Sequence, residues 1–326
     1  MILWVAGCVS PDPRPEVVAA LATDEAHRYD AFASAAEELE RASRVLCAAP
    51  DEASLAAVRD AWWEARAPWR RATVVGFGPV TELPERLGPK LDTWPVDEDA
   101  VETLVASDAP ASAEDVRAMG VWTRGLPVVE WRAWAGDPVV DPRRCEVLVG
   151  ETGAVRADAA DLAAAWRDGF VERVPFEDPQ DGVDAWVNRM AFTVADLRGL
   201  RLGRPVGDED GGTPHPELVE SRASGRSLAD ARDVLEGVRE TWAGASGPGI
   251  RVLVGDPVLA ERVDTLLAGC AERLAIVPEP LERTVSQEPE LVARAQEALA
   301  TLQSTLQTDV AAQLAVTLTF SDDDGD

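Results

Sequence analysis

The stretch His27–Leu46, HRYDAFASAAEELERASRVL, places Tyr29, Phe32, Ala36, Leu39 and Val45 near a 3.6-residue period, with charged and small residues between them. That pattern is one face of an amphipathic helix, and it recurs along the chain. A second helix is predicted over Glu52–Val75, with Asp51 or Ser54 as its cap and Gly76, Gly78 and Pro79 as its stop. Residues 80–96 are rich in proline and read as an irregular excursion. Further helices are predicted over Glu98–Ala106, from just after Ser112 to Trp134, and over Asp141–Val174. Beyond Pro175, Pro179 and Gly182 the same style returns, over Val183–Leu202, Ser227–Ala243, Asp256–Ala275 and Pro289–Ala315. Ser227 is the expected N-cap of its helix, and Gly203–Pro216 reads as a loop. Alternating Val316, Leu318 and Phe320 indicate a short extended tail. The fold class is therefore all-α, with four main helices in each half arranged as two packed up-and-down four-helix-bundle-like halves. The expected divisions are 1–23 as a leader remnant and tether, 24–175 as the first bundle, and 176–326 as the second bundle with an acidic tail.

Composition narrows the function. The 326 residues carry 31 Lys plus Arg against 59 Asp plus Glu, a formal net charge of -28. Such a surface repels nucleic acid and anionic lipid, so neither is an expected partner. With 46% hydrophobic residues and 11 Trp, the chain has the means to bury a large core. It holds no run of about 20 apolar residues that would cross a membrane. Only two histidines exist, His27 and His215, and neither belongs to an H-E-x-x-H pair. Both read as ordinary surface residues, which leaves a zinc–water hydrolase short of nitrogen ligands.

Five segments carry a family likeness. Arg124-Gly125-Leu126-Pro127-Val128-Val129-Glu130-Trp131 resembles a G-x-H-x-x-E signature with proline in place of histidine. Trp62–Pro79, WWEARAPWRRATVVGFGP, is similar to a W-x-x-x-R-x-x-W helix followed by a Gly-Pro turn. Leu91–Asp97, LDTWPVD, matches I-D-x-W-P-x-D, and Glu220–Gly244 opens with E-S-x-x-S-x-x-S-L-A-D. The ending LAVTLTFSDDDGD matches L-G-x-x-x-x-F-x-x-x-D-G-D. Together these resemble the imelysin family. The resemblance implies a helical protein that takes part in iron or haem uptake or handling, by binding and not by catalysis. Two other readings stand beside it: a residual metallopeptidase, which requires His27 or His215 to approach Glu130, and an interaction module that has lost its metal site.

Residues three apart on a helix share a face, so an H-x-x-E pair can grip one ion, and Pro127 removes half of that pair. Pro127 and Gly125 both predict a kink or break inside the helix that ends at Trp134. Glu130 is the leading site residue. If buried, its carboxylate needs a cation or a donor, and Arg66 and Arg124 are the candidate partners. Asp92 is a second carboxylate that the resemblance brings to the same place. An oxygen-preferring cation, iron among them, is the implied cofactor. Ser221, Ser224 and Ser227 offer hydroxyls at helical spacing but have no histidine beside them in sequence. Trp62, Trp69, Trp166 and Trp186 read as core anchors.

Met1–Cys8, MILWVAGC, resembles the end of a bacterial lipoprotein signal, with Cys8 as the acylated residue and Ser10–Pro15 as an extended tether. That reading makes the protein exported, periplasmic or at the cell surface, and attached to membrane through lipid alone. The expected partners are an iron or haem ligand and a periplasmic or outer-membrane protein. An oxidising compartment also favours one disulfide among the remaining cysteines. Cys47 with Cys145 is the expected pair, since both lie near ends of long helices in the first half.

Overall fold

A computed structural model describes residues 11–134, 141–170 and 178–319; among them there are helices and turns and no strand. The expected acylation site Cys8, the domain boundary at 175 and the ending from Phe320 to Asp326 lie outside the described residues.

Helix α1 spans Arg14–Ala48. Its start corrects the expected tether: Val17, Val18, Leu21 and Ala22 are buried, so residues 14–23 extend the apolar face that His27–Leu46 continues. Pro15 sits in the first turn, where its missing N–H goes unneeded. Near the other end Val45 is half exposed and Leu46 is fully buried, so the face rotates by one position from the expected one. Helix α2, Glu52–Ala72, begins in a reciprocal cap: Ser54 N donates to Asp51 Oδ1 at 2.7 Å and Asp51 N to Ser54 Oγ at 3.0 Å. It ends short of Val75, although Val74 and Val75 remain buried as the chain leaves. Residues 78–97 run through a short turn at Gly78–Val80 and one helical turn at Gly88–Leu91, then into α3, Glu98–Ala106.

The single helix expected from Ser112 to Trp134 is three pieces. Ala113–Arg117 is capped by Ser112 and Asp115, Val121–Thr123 makes one tight turn, and α4 spans Leu126–Trp134. The break falls at Gly125, whose φ of +91° only glycine tolerates readily. A Cβ there would also lie 2.6 Å from the Leu91 carbonyl oxygen. Pro127 is not an interior kink. It is the second residue of α4, where a proline loses no helical hydrogen bond.

Helices α5 (Pro142–Ala165), α6 (Pro179–Asp196), α7 (Ser227–Ala243), α8 (Pro257–Ala275), α9 (Leu281–Gln287) and α10 (Pro289–Thr305) complete the set. α5, α6 and α10 each continue in wider turns, over 166–170, 197–203 and 306–310. Ser227 is the first helical residue of α7 and not its cap; Arg226 holds that position, and the Ser227 hydroxyl donates to the Glu220 carbonyl. α1 packs along both α2 and α5, and α2 packs in turn on α7. α6 touches α1, α7 and α10, while α8 packs against α7 and α10. Where α2 crosses α7, Gly237 lets the backbones meet: a Cβ on it would stand 2.1 Å from the Arg71 carbonyl oxygen. One continuous core runs from Val17 to Val310 across both halves.

Trp62, Trp69, Trp166 and Trp186 are all buried in that core. Trp62 Nε1 donates to the Leu126 carbonyl at 2.9 Å, and Trp166 Nε1 to that of Ala22 at 3.0 Å. The expected disulfide is present: Cys47 and Cys145, with Cα atoms 5.4 Å apart, join the end of α1 to the start of α5. Cys270 is free and buried, and burial pushes its thiol up to about 12. Beyond α10, the extended residues 316–319 are held by side chains of α6. Asn188 Nδ2 donates to the Thr317 carbonyl at 2.8 Å, and Thr319 N donates to Asn188 Oδ1 at 3.1 Å.

Candidate functional site

The segments singled out in the sequence converge on one buried polar cluster. α2 brings Arg66 and Arg70, the turn after Leu91 brings Asp92, and α4 brings Glu130. The turn before α7 supplies Glu220, Ser221 and Ser224, and α7 itself supplies Asp230. Two hydrogen bonds tie α2, which carries Arg66, to α4, which carries Glu130: Trp62 Nε1 donates to the Leu126 carbonyl, and Arg59 Nε donates to that of Ala133 at 2.9 Å.

Within the cluster the arginines and aspartates saturate one another. Asp92 accepts from Arg66 at 2.7 Å and from Trp69 Nε1 at 2.7 Å, with Arg70 at 3.1 Å. Asp230 accepts from Arg66 at 2.8 Å, lies 3.3 Å from Arg70, and also takes a short bond from Arg226. The Ser221 hydroxyl donates to Asp230 at 2.6 Å from a backbone with φ of +51°. Arg70 and Arg201 share Glu220. Burial alone would raise Asp92 and Asp230, but Arg66 and Arg70 overcome it and hold both below the usual carboxylate range. Burial works against Arg201 most strongly, with Arg70 adding to it, and its pKa is lowered.

Glu130 stands at the edge of this network and makes no salt bridge to another described residue. Its Oε1 accepts the Ser224 backbone N–H at 2.8 Å, and it is 3% exposed. Burial raises its pKa, opposed by the Ser224 hydrogen bonds and by Arg66. The expected Glu130–arginine pair is thereby corrected. Arg66 is taken by Asp92 and Asp230, and Arg124 points elsewhere, to Asp158 and the Arg117 carbonyl. The expected cation site of Glu130 with Asp92 does not fit either. Asp92 already accepts from two guanidiniums and an indole N–H, so a cation drawn to it would face the positive charge of Arg66 and Arg70. Among the described residues no three His, Cys, Asp or Glu side chains gather as a metal site. Leu126, Pro127 and Val128 are buried apolar positions beside Glu130.

The histidines lie apart from this chemistry. His27 is exposed on α1, beside a cavity of about 580 Å³ between α1, α2 and α7. His215 sits in the loop before α7, bonded to Asp210 at 2.6 Å and Glu217 at 3.0 Å. On the other side of α4, Glu151 of α5 is fully buried, and neither of its oxygens has a hydrogen-bond partner. Burial pushes it up to about 8, with Arg132 and Arg124 acting the other way.

Arg66 and Asp92 were legible as site residues, whereas Arg70, Arg201, Glu220, Arg226 and Asp230 were not singled out. A signal for three of them was present, since Arg70 follows Trp69, Glu220 opens the E-S-x-x-S segment and Asp230 closes its S-L-A-D run.

The chain matches the Imelysin family over residues 25–307. It is 27% identical over 300 residues to iron-regulated protein A of Synechococcus elongatus, which covers 86% of this chain and 81% of that one. An imelysin-like protein from Psychrobacter arcticum, solved by crystallography, shares the fold at a TM-score of 0.83. That likeness covers 97% of this chain and 100% of the other at 19% identity. The match runs through the segments that carry Arg66, Asp92, Glu130 and Asp230, so the chain belongs to the imelysin family.

Proposed function

We propose that this protein is an exported member of its family that takes part in iron uptake or handling by binding, without peptidase catalysis. The iron-related part is supported by family membership together with the relative named iron-regulated protein A. The observation that carries the non-catalytic part is the closure of the motif cluster: Asp92 and Asp230 are each shared by at least two arginines. A metallopeptidase needs open carboxylate or imidazole ligands around a reactive water. Here the positive charge beside those aspartates is supplied by Arg66, Arg70 and Arg226, and Pro127 contributes no ligand. On this reading iron reaches the protein as a complex or through a partner, not as a bare ion on Glu130 and Asp92. Acylation at Cys8 and a periplasmic or cell-surface station belong to the same proposal.

The test is cellular iron content in a deletion strain grown under iron limitation and complemented with wild type or Glu130→Gln. Lower iron on deletion, restored by wild type, supports the role. Unchanged iron content in the deletion strain would sink it. Cleavage of unfolded casein by purified wild type and not by Glu130→Gln, with zinc or ferrous ion added, would overturn the non-catalytic part. The same closure of the cluster favours a second reading, an interaction module. Its mark would be an iron phenotype on deletion together with no binding of ferric complexes or haem by the purified wild-type protein.

A further inference from the structure

On the face of α7 away from Glu130, α7 and α8 diverge around a cavity of about 530 Å³. Its floor is apolar. Leu235 and Trp242 of α7 and Leu267 of α8 are buried beneath it, while Ala268 and Ala271, one helical turn apart, are exposed and leave the space open. Its rim is charged, and the two signs are unequally occupied. The carboxylates are taken: Asp264 accepts from Trp242 Nε1 at 2.7 Å and Arg251 at 2.8 Å, and Asp233 from Arg226 at 2.8 Å and Arg71 at 3.2 Å. Glu236 accepts twice from Arg239.

The arginines keep donors in reserve. A guanidinium has five N–H groups. Arg71 donates to Asp233 through Nε alone, and Arg239 spends Nε and Nη2 on Glu236. Arg232 makes only long contacts, 3.3 Å to Glu279 and 3.4 Å to the Leu274 carbonyl. All three side chains are between 41% and 51% exposed, so their free N–H groups are reachable. A cleft with an apolar floor and spare planar donors on its rim matches an apolar body that carries a carboxylate.

We propose that this cleft binds an amphipathic organic anion, with an aromatic or alicyclic body over Ala268, Ala271 and the edges of Leu235 and Leu267, and its acid group on Arg71, Arg232 and Arg239. The proposal does not rest on the iron-related reading. It has one structural link to the motif cluster, because Asp233 joins Arg71 of the rim to Arg226, which holds Asp230.

The experiment is calorimetric titration of the full chain with 2-naphthoate, and with uncharged 2-naphthalenemethanol as the matched probe. Three proteins are compared: wild type, Arg239→Gln and Ala268→Trp. Arg239 pairs only along its own helix, and Ala268 is exposed, so neither change disturbs the core; circular dichroism verifies this. Wild type should bind naphthoate saturably at one site. Arg239→Gln and loss of the probe's charge should each weaken binding about ten-fold, and Ala268→Trp should abolish it by filling the floor. Absence of naphthoate binding by wild type overturns the proposal. So does equal binding of the uncharged probe, or binding that both variants leave unchanged.

Discussion

Replacing Glu151 by Gln should remove a pH-dependent destabilisation of this protein, so that the variant gains on wild type as pH rises. Glu151 is fully buried on α5, and neither carboxyl oxygen has a hydrogen-bond partner. Burial, opposed by Arg132 and Arg124, sets its pKa at about 8, against 4.5 for an ordinary glutamate. Between those two values the folded chain keeps the proton and the unfolded chain has lost it. Folding therefore takes up a proton in that window, and the stability present below pH 4.5 is lost as pH rises toward 8, by about 1.4 kcal/mol per pH unit. At pH 7 the accumulated loss is about 3 kcal/mol, and at pH 5 about 1 kcal/mol. Glutamine keeps the shape and cannot ionise, so it removes this dependence. Its buried amide has its own desolvation cost, but that cost is constant with pH. Glu25, pushed up to about 7 by burial against the pull of Arg28, titrates in both proteins and cancels in the difference. The assay is urea unfolding of wild type and Glu151→Gln at pH 5, 6, 7 and 8. The stability of the variant relative to wild type should rise by about 2 kcal/mol between pH 5 and pH 7. A difference that stays flat across that range refutes the reasoning.

Asp92→Asn should destabilise by about 1.5–3 kcal/mol, because it removes one of the two carboxylates that Arg66 and Arg70 share and leaves them Asp230 and Glu220; thermal melts at pH 7 measure the loss. Because the folded pKa of Asp92 is lowered, its contribution is present above the ordinary value of 3.8 and fades as pH falls through the lowered one, so the two proteins should converge in strong acid. Removing the Cys47–Cys145 bridge, which closes a separation of 98 residues, should cost on the order of 5 kcal/mol. Reduced wild type and Cys47→Ser should then unfold at the same urea concentration, below that of oxidised wild type. Gly125→Ala should cost at least about 2 kcal/mol, from a φ of +91° and a contact of 2.6 Å with the Leu91 carbonyl oxygen; the urea midpoint reports it.

The elements that matched expectation are those whose ends carry local chemistry. Glu98–Ala106 and Ser227–Ala243 appear with the expected bounds, and Asp51 with Ser54 caps α2 as their spacing suggests. Misplacements came where two local signals competed. Gly125 and Pro127 both promised a break, and the glycine makes it because its φ is the one no other residue adopts easily. Pro127 sits comfortably in the turn that follows. Helix α9 went unseen since its seven residues, set between Pro280 and Pro289, are too few to show a period. The site was half legible for a different reason. Arg66 and Asp92 stand in marked segments, but Arg70 meets Glu220 across 150 positions, and no local pattern announces a pair that distant. For the same reason Arg124, only six residues from Glu130, was the wrong partner: it leaves the chain on the far side of the Gly125 turn and bonds Asp158.

The contact between Gly237 and the Arg71 backbone has a mechanical consequence. Arg70 faces the motif cluster and Arg71 faces the α7–α8 cleft, so a single weld between α2 and α7 fixes the geometry of both. A hinge between the halves would have to tear that weld, sever the ion pairs from α2 to Asp230 and Glu220, and divide one continuous core. Clamshell closure around a guest would therefore break all of these contacts together. Under the proposed binding, discrimination among guests falls to the half-exposed arginines of the rim, which re-orient within nanoseconds while the frame beneath them stays still.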